Sequence, residues 1–232
     1  MSRRLPQQDS GGFAELCNPV AALAGLLVLL PLLILLAVVV RIDSRGPAIY
    51  SEQRLGRYGK PFYIYKLRTL HPGLENSARV APVGDPRITR LGAWLRPLHL
   101  DELPQLFNIV RRDMNFVGPR PAQAEIWRSV ASESMSRALA FRPGLTSPAS
   151  IQFNCEDDVL ATFDNAEAIY RDLIFPAKIT IDVRYFEQRK WWHDLKVLAA
   201  TATTVLRRRP DTACRERLAH LLGDAGRTGH SG

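Results

Sequence analysis

Cysteine is scarce in this chain of 232 residues: Cys17, Cys155 and Cys214 are far apart and odd in number. That spacing gives neither a metal-ligand cluster nor a disulfide framework, and reduced cytosolic thiols are the simpler expectation. No internal repeat and no long low-complexity tract is present, so a repeat array is excluded. Acidic residues are outnumbered, 23 Asp and Glu against 31 Lys and Arg, for a formal charge of +8. A basic balance fits nucleic acid, phosphorylated small molecules or anionic lipid headgroups, and charge alone does not choose among them. Nothing resembles a stacking platform or a nucleic-acid module, so nucleic acid is not expected as a partner.

What the chain does have is one long apolar run. Residues 1–18 are polar and small, and expected to be a flexible N-terminal segment. From Pro19 to Val40 nearly every residue is Leu, Val, Ala or Ile, with no charge until Arg41. About 20 such residues make a helix of roughly 30 Å, the thickness of a bilayer core. The run is too long for a signal-peptide core, and no small-residue cleavage site follows it. Pro31 removes one helical hydrogen bond and favours a kink. Arg3 and Arg4 on one side and Arg41 and Arg45 on the other give no clear orientation. A straight span and a kinked helix that enters and returns are both compatible with these residues.

The excess charge is concentrated just beyond. Residues 41–128 hold fifteen Lys or Arg and eight Asp or Glu, a net +7. Ala48-Ile49-Tyr50 and Phe62-Tyr63-Ile64-Tyr65, with turn chemistry at Gly56–Pro61 between them, read as a β-hairpin. It leads into Lys66-Leu67-Arg68-Thr69, two cations close behind a strand. A loop over 71–86 and a helix over 87–98 are expected next. In Leu100-Asp101-Glu102-Leu103-Pro104-Gln105, adjacent carboxylates stand at a helix start, with Pro104 in the first turn and an apolar face of Leu103, Leu106, Phe107 and Val110. A helix dipole holds an acid there as the anion, able to bind a metal or attack an electrophile, although Asp-Glu before a helix is also a common capping arrangement. Arg120, fixed between Pro119 and Pro121, suits bidentate capture of phosphate.

These segments in this order resemble the bacterial sugar transferases, monotopic phosphoglycosyl transferases that start polysaccharide or glycoconjugate assembly on polyprenyl phosphate. The resemblance is carried by Ser44–Pro47, Gln53–Gly56, Lys66–Thr69, Asp85–Gly92, Leu100–Gln105, Val117–Pro121, Arg142–Thr146 and Trp192–Lys196. It spans about residue 20 to residue 206. It implies an α+β fold: a re-entrant membrane helix over 19–41 kinked near Pro31, then a mainly helical catalytic domain over 42–206 with a small β-hairpin and interfacial amphipathic helices. Residues 207–232 are expected to be a basic polar tail, with a helical stretch left open before it frays. Among larger relatives, extra N-terminal membrane helices precede this unit, so the chain is expected to be the minimal catalytic version.

The resemblance also implies chemistry. Asp101 is the expected nucleophile on the sugar-linked phosphate of a nucleotide sugar, and Glu102 its partner in metal binding or proton transfer. Mg²⁺ is the expected cofactor, held at Asp101 and Glu102. Lys66, Arg96 and Arg120 match the phosphate-facing cations, with Arg68 beside them. The expected partners are nucleotide sugar, polyprenyl phosphate and membrane lipids, with pairing as a homodimer, at the cytoplasmic face of the bacterial inner membrane. Ser147–Ile151 departs from the usual family pattern, so sugar identity does not carry over. A catalytically silent scaffold of the same fold is the alternative; intact Asp101, Glu102, Lys66, Arg96 and Arg120 count against it. In the last third, helical stretches are expected over 165–183 and 184–206, the second presenting Leu195, Leu198 and Leu206 on one side, either as an interfacial helix with Trp191 and Trp192 at headgroup level or as an ordinary core helix.

Overall fold

The apolar run forms one helix, α1 (Gly12–Asp43), which carries both Pro19 and Pro31 inside it. The structure, a computed structural model, describes residues 12–74, 80–207 and 212–228. Arg3, Arg4 and most of the 1–18 segment lie outside the described residues, as do Arg208 and Arg209. One face of α1 is apolar and bare: Val28 is 79% exposed and Leu27 62%. The opposite face is packed. Ala22, with Leu26 and Leu29, joins Ile64, Leu106, Ile109 and Met114, while Leu36, Ala37 and Val40 join Leu67 and Leu95. From Ala22 to Val40 is roughly 27 Å of helix, and the body meets α1 at both ends of that stretch, while Leu30, Ile34 and Leu35 between them stay exposed.

The hairpin is present as expected. Strands β1 (Ile49–Leu55) and β2 (Pro61–Leu67) pair antiparallel, with Tyr50 opposite Lys66. The turn between them is a short 3₁₀ piece, with Tyr58 and Gly59 at positive φ. Beyond β2 the expected helix over 87–98 is broken in two. Helix α2 (Arg90–Leu95) is N-capped by the Thr89 hydroxyl, which accepts from the Gly92 amide at 2.9 Å. A 3₁₀ turn (Arg96–Leu98) ends it, and His99 at φ 52° reverses the chain into a second 3₁₀ turn, Leu100–Glu102. Gly92 lies against β2's exit, where a Cβ would sit 2.3 Å from the Thr69 carbonyl oxygen.

Helix α3 (Gln105–Val110) then packs on α1. Its apolar face differs from expectation: Leu106 and Ile109 are buried, whereas Phe107 is 45% exposed. Asn108, fully buried, donates to the Tyr63 carbonyl at 2.7 Å and accepts from the Tyr65 amide at 3.2 Å, fixing α3 to β2.

A parallel pair of three-residue strands, β3 (Asn115–Val117) and β4 (Gly144–Thr146), was not legible in the sequence. Between them lie α4 (Ala124–Trp127) and α5 (Ser132–Leu139). The two loops at their ends touch backbone to backbone. A Cβ on Gly118 would lie 2.3 Å from the Arg142 carbonyl oxygen, and one on Gly144 2.0 Å from the Gly118 nitrogen. Glycine is required at both positions for this reason.

The remaining chain is helical: α6 (Pro148–Gln152), α7 (Glu156–Leu160), α8 (Ala166–Ile169), a π-turn over 170–174, α9 (Phe175–Gln188), α10 (Trp191–Arg207) and α11 (Thr212–Thr228). Trp127 and Phe175 meet edge to face at 5.0 Å in a core shared by α4, α5 and α9. The break between the last two long expected helices falls at Arg189, which is extended, rather than at 183. On α10, Val197 is the buried residue, whereas Leu195 and Leu206 are 58% and 80% exposed.

The C-terminus fills in one expectation and corrects another. The 207–232 segment carries α11, whose Cys214 and Leu218 are buried with Phe153, Leu160 and Ile174. Cys155 and Cys214, 59 residues apart, are joined as a disulfide instead of standing as reduced thiols; Cys17 is the free cysteine. Chain spacing could not show this, because α11 folds back onto the start of α7.

Candidate active site

A cavity of about 960 Å³ opens between β1, β2, the 96–102 turns, the Arg120 loop, α6, α7, α9 and α10. It gathers every cation singled out from the sequence. Lys66, Arg68, Arg96 and Arg120 all line it, together with Asp101 and Glu102. Successive side chains on a strand point to opposite faces, so Lys66 and Arg68 share the cavity face of β2 while Leu67 enters the core at 1% exposure.

Glu102 is the electrostatic centre. One oxygen, Oε1, accepts from Lys66 Nζ at 2.7 Å and from Arg120 at 2.9 Å. Burial alone would raise its carboxyl, but Arg120 and Lys66 outweigh that and hold it well below the usual range. Arg120 is correspondingly pushed up by Glu102. Asp101, next in the chain, behaves oppositely. It is 8% exposed and makes no side-chain hydrogen bond among the described residues. Burial pushes its carboxyl up, and Lys66, Arg96 and His99 act only through space to lower it. The helix dipole does not hold this anion as expected. Asp101 stands in a 3₁₀ turn before α3, and α3 is only six residues long.

The other cations are positioned rather than free. An Arg96 nitrogen donates to the Ala81 carbonyl at 2.5 Å, with Asp157 at 3.7 Å. Arg68 donates from one terminal nitrogen to the carbonyl and hydroxyl of Ser44, at 2.6 and 2.9 Å. The Arg120 loop is held by the glycine contacts described above, with the Gly144 amide donating to the Pro119 carbonyl at 3.0 Å.

The far wall contains residues that sequence reasoning missed. Lys178, 2% exposed, donates to both oxygens of Glu156 at 2.8 and 2.7 Å, and its ammonium stands 5.9 Å from the Tyr170 ring centre. Burial opposes the charge on Lys178, and Glu156 and Tyr170 more than restore it. Asp182, one turn further along α9 and outside the cavity lining, accepts from the Ala149 amide at 3.0 Å, and burial pushes its carboxyl up to about 7. The available signal was two charges four apart, set among Phe175, Ile179, Val183 and Phe186, which are all buried. A helix with that many core positions has little solvated face for them.

A long apolar helix docked on a body whose cavity holds two buried carboxylates ringed by cations defines a protein that handles anionic ligands beside an apolar surface. The chain belongs to the bacterial sugar transferase family, whose family model matches residues 12–208. It is 34% identical over 183 residues to the undecaprenyl-phosphate glucose phosphotransferase of Komagataeibacter xylinus, covering 76% of this chain and 32% of that protein. It is 35% identical over 184 residues to the UDP-glucose:undecaprenyl-phosphate glucose-1-phosphate transferase of Caulobacter vibrioides, covering 76% of this chain and 63% of that one. The Escherichia coli transferase of the same description is 33% identical over 182 residues, covering 76% and 36%. The chain thus spans from about a third to just under two thirds of the length of these relatives.

Proposed function

We propose that the protein transfers a sugar 1-phosphate from a nucleotide diphosphate sugar, with uracil as the expected base, to polyprenyl phosphate. The observation that carries this reading is the contrast at 101–102. Glu102 is locked between two cations, while its neighbour Asp101 is buried, unbonded and open to the cavity. A carboxylate stripped of hydrogen bonds is a better nucleophile than a solvated one. The relatives named above act on undecaprenyl phosphate, and two of them on UDP-glucose, which supports the same substrate classes here. The silent-scaffold alternative gives no reason to bury an unbonded acid among four cations.

In the proposed reaction an Asp101 carboxylate oxygen attacks the sugar-linked phosphorus of the donor. The bond from that phosphorus to the bridging oxygen breaks, and nucleoside monophosphate leaves with the electron pair. An oxygen of polyprenyl phosphate then attacks the same phosphorus, and the Asp101 carboxylate is released. Lys66 and Arg120 offset the charge on the equatorial phosphate oxygens. Glu102 keeps both cations in place and remains ionised.

Mg²⁺ suits the donor set. Magnesium takes one or two carboxylates and fills its remaining positions with substrate phosphate and water. Asp101 with both oxygens free, and Glu102 with its second oxygen free of hydrogen-bond partners among the described residues, match that pattern. When bound, the ion would neutralise phosphate charge and lower the cost of an ionised Asp101.

The proposed membrane arrangement is re-entrant, and the packing of α1 supports it. A helix crossing a bilayer upright would meet the soluble body at one end, whereas α1 meets it in two places, at Ala22–Leu29 and again at Leu36–Val40. Re-entry with a bend near Pro31, the protein seated on one leaflet, accommodates both the packed face and the bare one. Nucleotide sugars are cytosolic solutes, so the cytoplasmic face of the bacterial inner membrane is the site that supplies both substrates.

The test is release of nucleoside monophosphate by detergent-solubilised protein, using a panel of nucleotide sugars with Mg²⁺ and polyprenyl phosphate. Release with a donor in the panel, lost in Asp101→Asn and on chelation, is the expected result. Release that survives Asp101→Asn would refute the covalent route.

A further inference from the structure

Arg68 is spent differently from the other cavity cations. Lys66 and Arg120 share the carboxylate of Glu102. Arg68, 3% exposed, faces no carboxylate among the described residues within ion-pair reach. One terminal nitrogen is satisfied by Ser44, but Nε and the second terminal nitrogen are buried without any hydrogen-bond acceptor. A guanidinium carries five donors and cannot shed its charge. Leaving it buried and half-paired costs several kcal/mol unless an anion completes it. The backbone is also shaped around it. Gly46 has φ +124°, and a Cβ there would fall 2.4 Å from the second terminal nitrogen.

The location points to the anion. Ser44 is the first residue beyond α1, and its amide closes on the Val40 carbonyl at 3.1 Å. Arg68 therefore stands where the apolar helix leaves off and the cavity begins. A ligand with an apolar tail and a phosphate head can lay its tail along the bare face of α1 and bring its head to this point. A fully soluble nucleotide sugar has no need of that position, and Lys66 and Arg120 already stand at Glu102, the neighbour of Asp101, for its phosphates.

We propose that Arg68 is the phosphate anchor for the lipid acceptor, its free donors gripping the phosphate monoester of polyprenyl phosphate at the end of α1. This assignment deepens the transferase reading and rests on it. The shared chemistry is a phosphate group, and the two substrates are distinguished by separate measurements.

The first measurement is steady-state kinetics of Arg68→Gln and Arg68→Lys in detergent, with a short-chain polyprenyl phosphate varied at fixed donor and then the reverse. Loss of a charge-assisted grip raises the KM for polyprenyl phosphate roughly ten- to a hundredfold, while the KM for donor moves little. Lysine restores part of the loss. Ser44→Ala, which removes one bond to Arg68 and leaves the guanidinium, is the control for a merely structural pin and keeps the acceptor KM near that of wild type. A raised donor KM with an unchanged acceptor KM would overturn the proposal. So would a fall in kcat matched by a lower Tm, with neither KM altered.

The second measurement is direct binding of the same polyprenyl phosphate to Asp101→Asn and to Asp101→Asn/Arg68→Gln. Weaker binding by the double variant supports the anchor even if no donor is turned over. Equal binding by the two overturns it whatever the fate of the covalent mechanism.

Discussion

The two walls of the cavity handle buried charge in opposite ways. On the wall built from β2 and the 100–102 turn, two cations converge on one carboxylate oxygen, and a second carboxylate beside it has no bond at all. On the wall built from α7 and α9, Lys178 and Glu156 neutralise each other one to one through both carboxylate oxygens. The first arrangement keeps surplus positive field and an unspent nucleophile, which is what an incoming diphosphate requires. The second has nothing left over for a ligand. It serves to hold α9 against α7 and, through Asp182, the start of α6. The difference separates residues that do chemistry from residues that keep the cavity in shape, although all of them are charged and buried or half-buried.

Breaking the self-neutralised wall should cost the most stability. Lys178→Met leaves Glu156 unpaired beside a buried ring, and a broken buried pair costs about 3–5 kcal/mol. The expected outcome is a large drop in Tm measured by thermal unfolding in detergent, with any remaining folded protein still able to bind nucleotide sugar. Breaking the other wall should act on rate. Glu102→Gln frees Lys66 and Arg120 from their anchor, and misplacing such charge-stabilising groups lowers kcat by about 10² to 10³. Its Tm should move much less than that of Lys178→Met. If the two variants showed the reverse pattern, the division of labour between the walls would be wrong.

Asp182 sharpens the comparison through pH. Its carboxyl is raised to about 7 in the folded protein by burial, above its ordinary 3.8. The native state therefore holds a proton that the unfolded chain releases, and stability falls as pH rises from about 4 to about 7. Asp182→Asn removes that dependence. The variant should match wild type near pH 4 and exceed it by about 2 kcal/mol at pH 8, half the full conversion of the shift because buried sites relax. Chemical denaturation at the two pH values checks this. A smaller effect is expected at Asn108, whose two bonds fix α3 to β2. Asn108→Ala removes both part-buried bonds and should cost about 1 kcal/mol, with kcat lowered because Lys66 and Glu102 lose their mutual alignment.

Much of the first wall was legible in the sequence and little of the second. The hairpin, the paired acids and the four cations sit in motifs whose order in the chain exposes them, although Lys66 and Glu102 are 36 residues apart. The glycines of Val117–Pro121 and Arg142–Thr146 also belong to recognisable motifs, and the structure supplies their reason: the two loops cross at backbone contact. What the sequence could not show depends on distant partners. Three-residue strands such as β3 and β4 are too short for periodicity to register. Lys178 meets Glu156 across 22 residues, and Cys155 meets Cys214 across 59. Each reads as an ordinary surface charge or an isolated thiol until the fold brings its partner to it. The dipole argument for Asp101 failed for a local reason: His99 at positive φ splits the segment into 3₁₀ turns and a short helix.

The central claim is that Asp101 carries the transferred group. The most direct measurement is the intact mass of the protein, acid-quenched after mixing with nucleotide sugar and Mg²⁺ in the absence of polyprenyl phosphate. With a donor it accepts, wild type should gain the mass of one sugar phosphate, placed by peptide mapping on the fragment containing Asp101. Asp101→Asn should gain nothing. An unmodified wild-type protein that nonetheless turns over on adding polyprenyl phosphate would contradict the account and favour direct transfer between the two substrates.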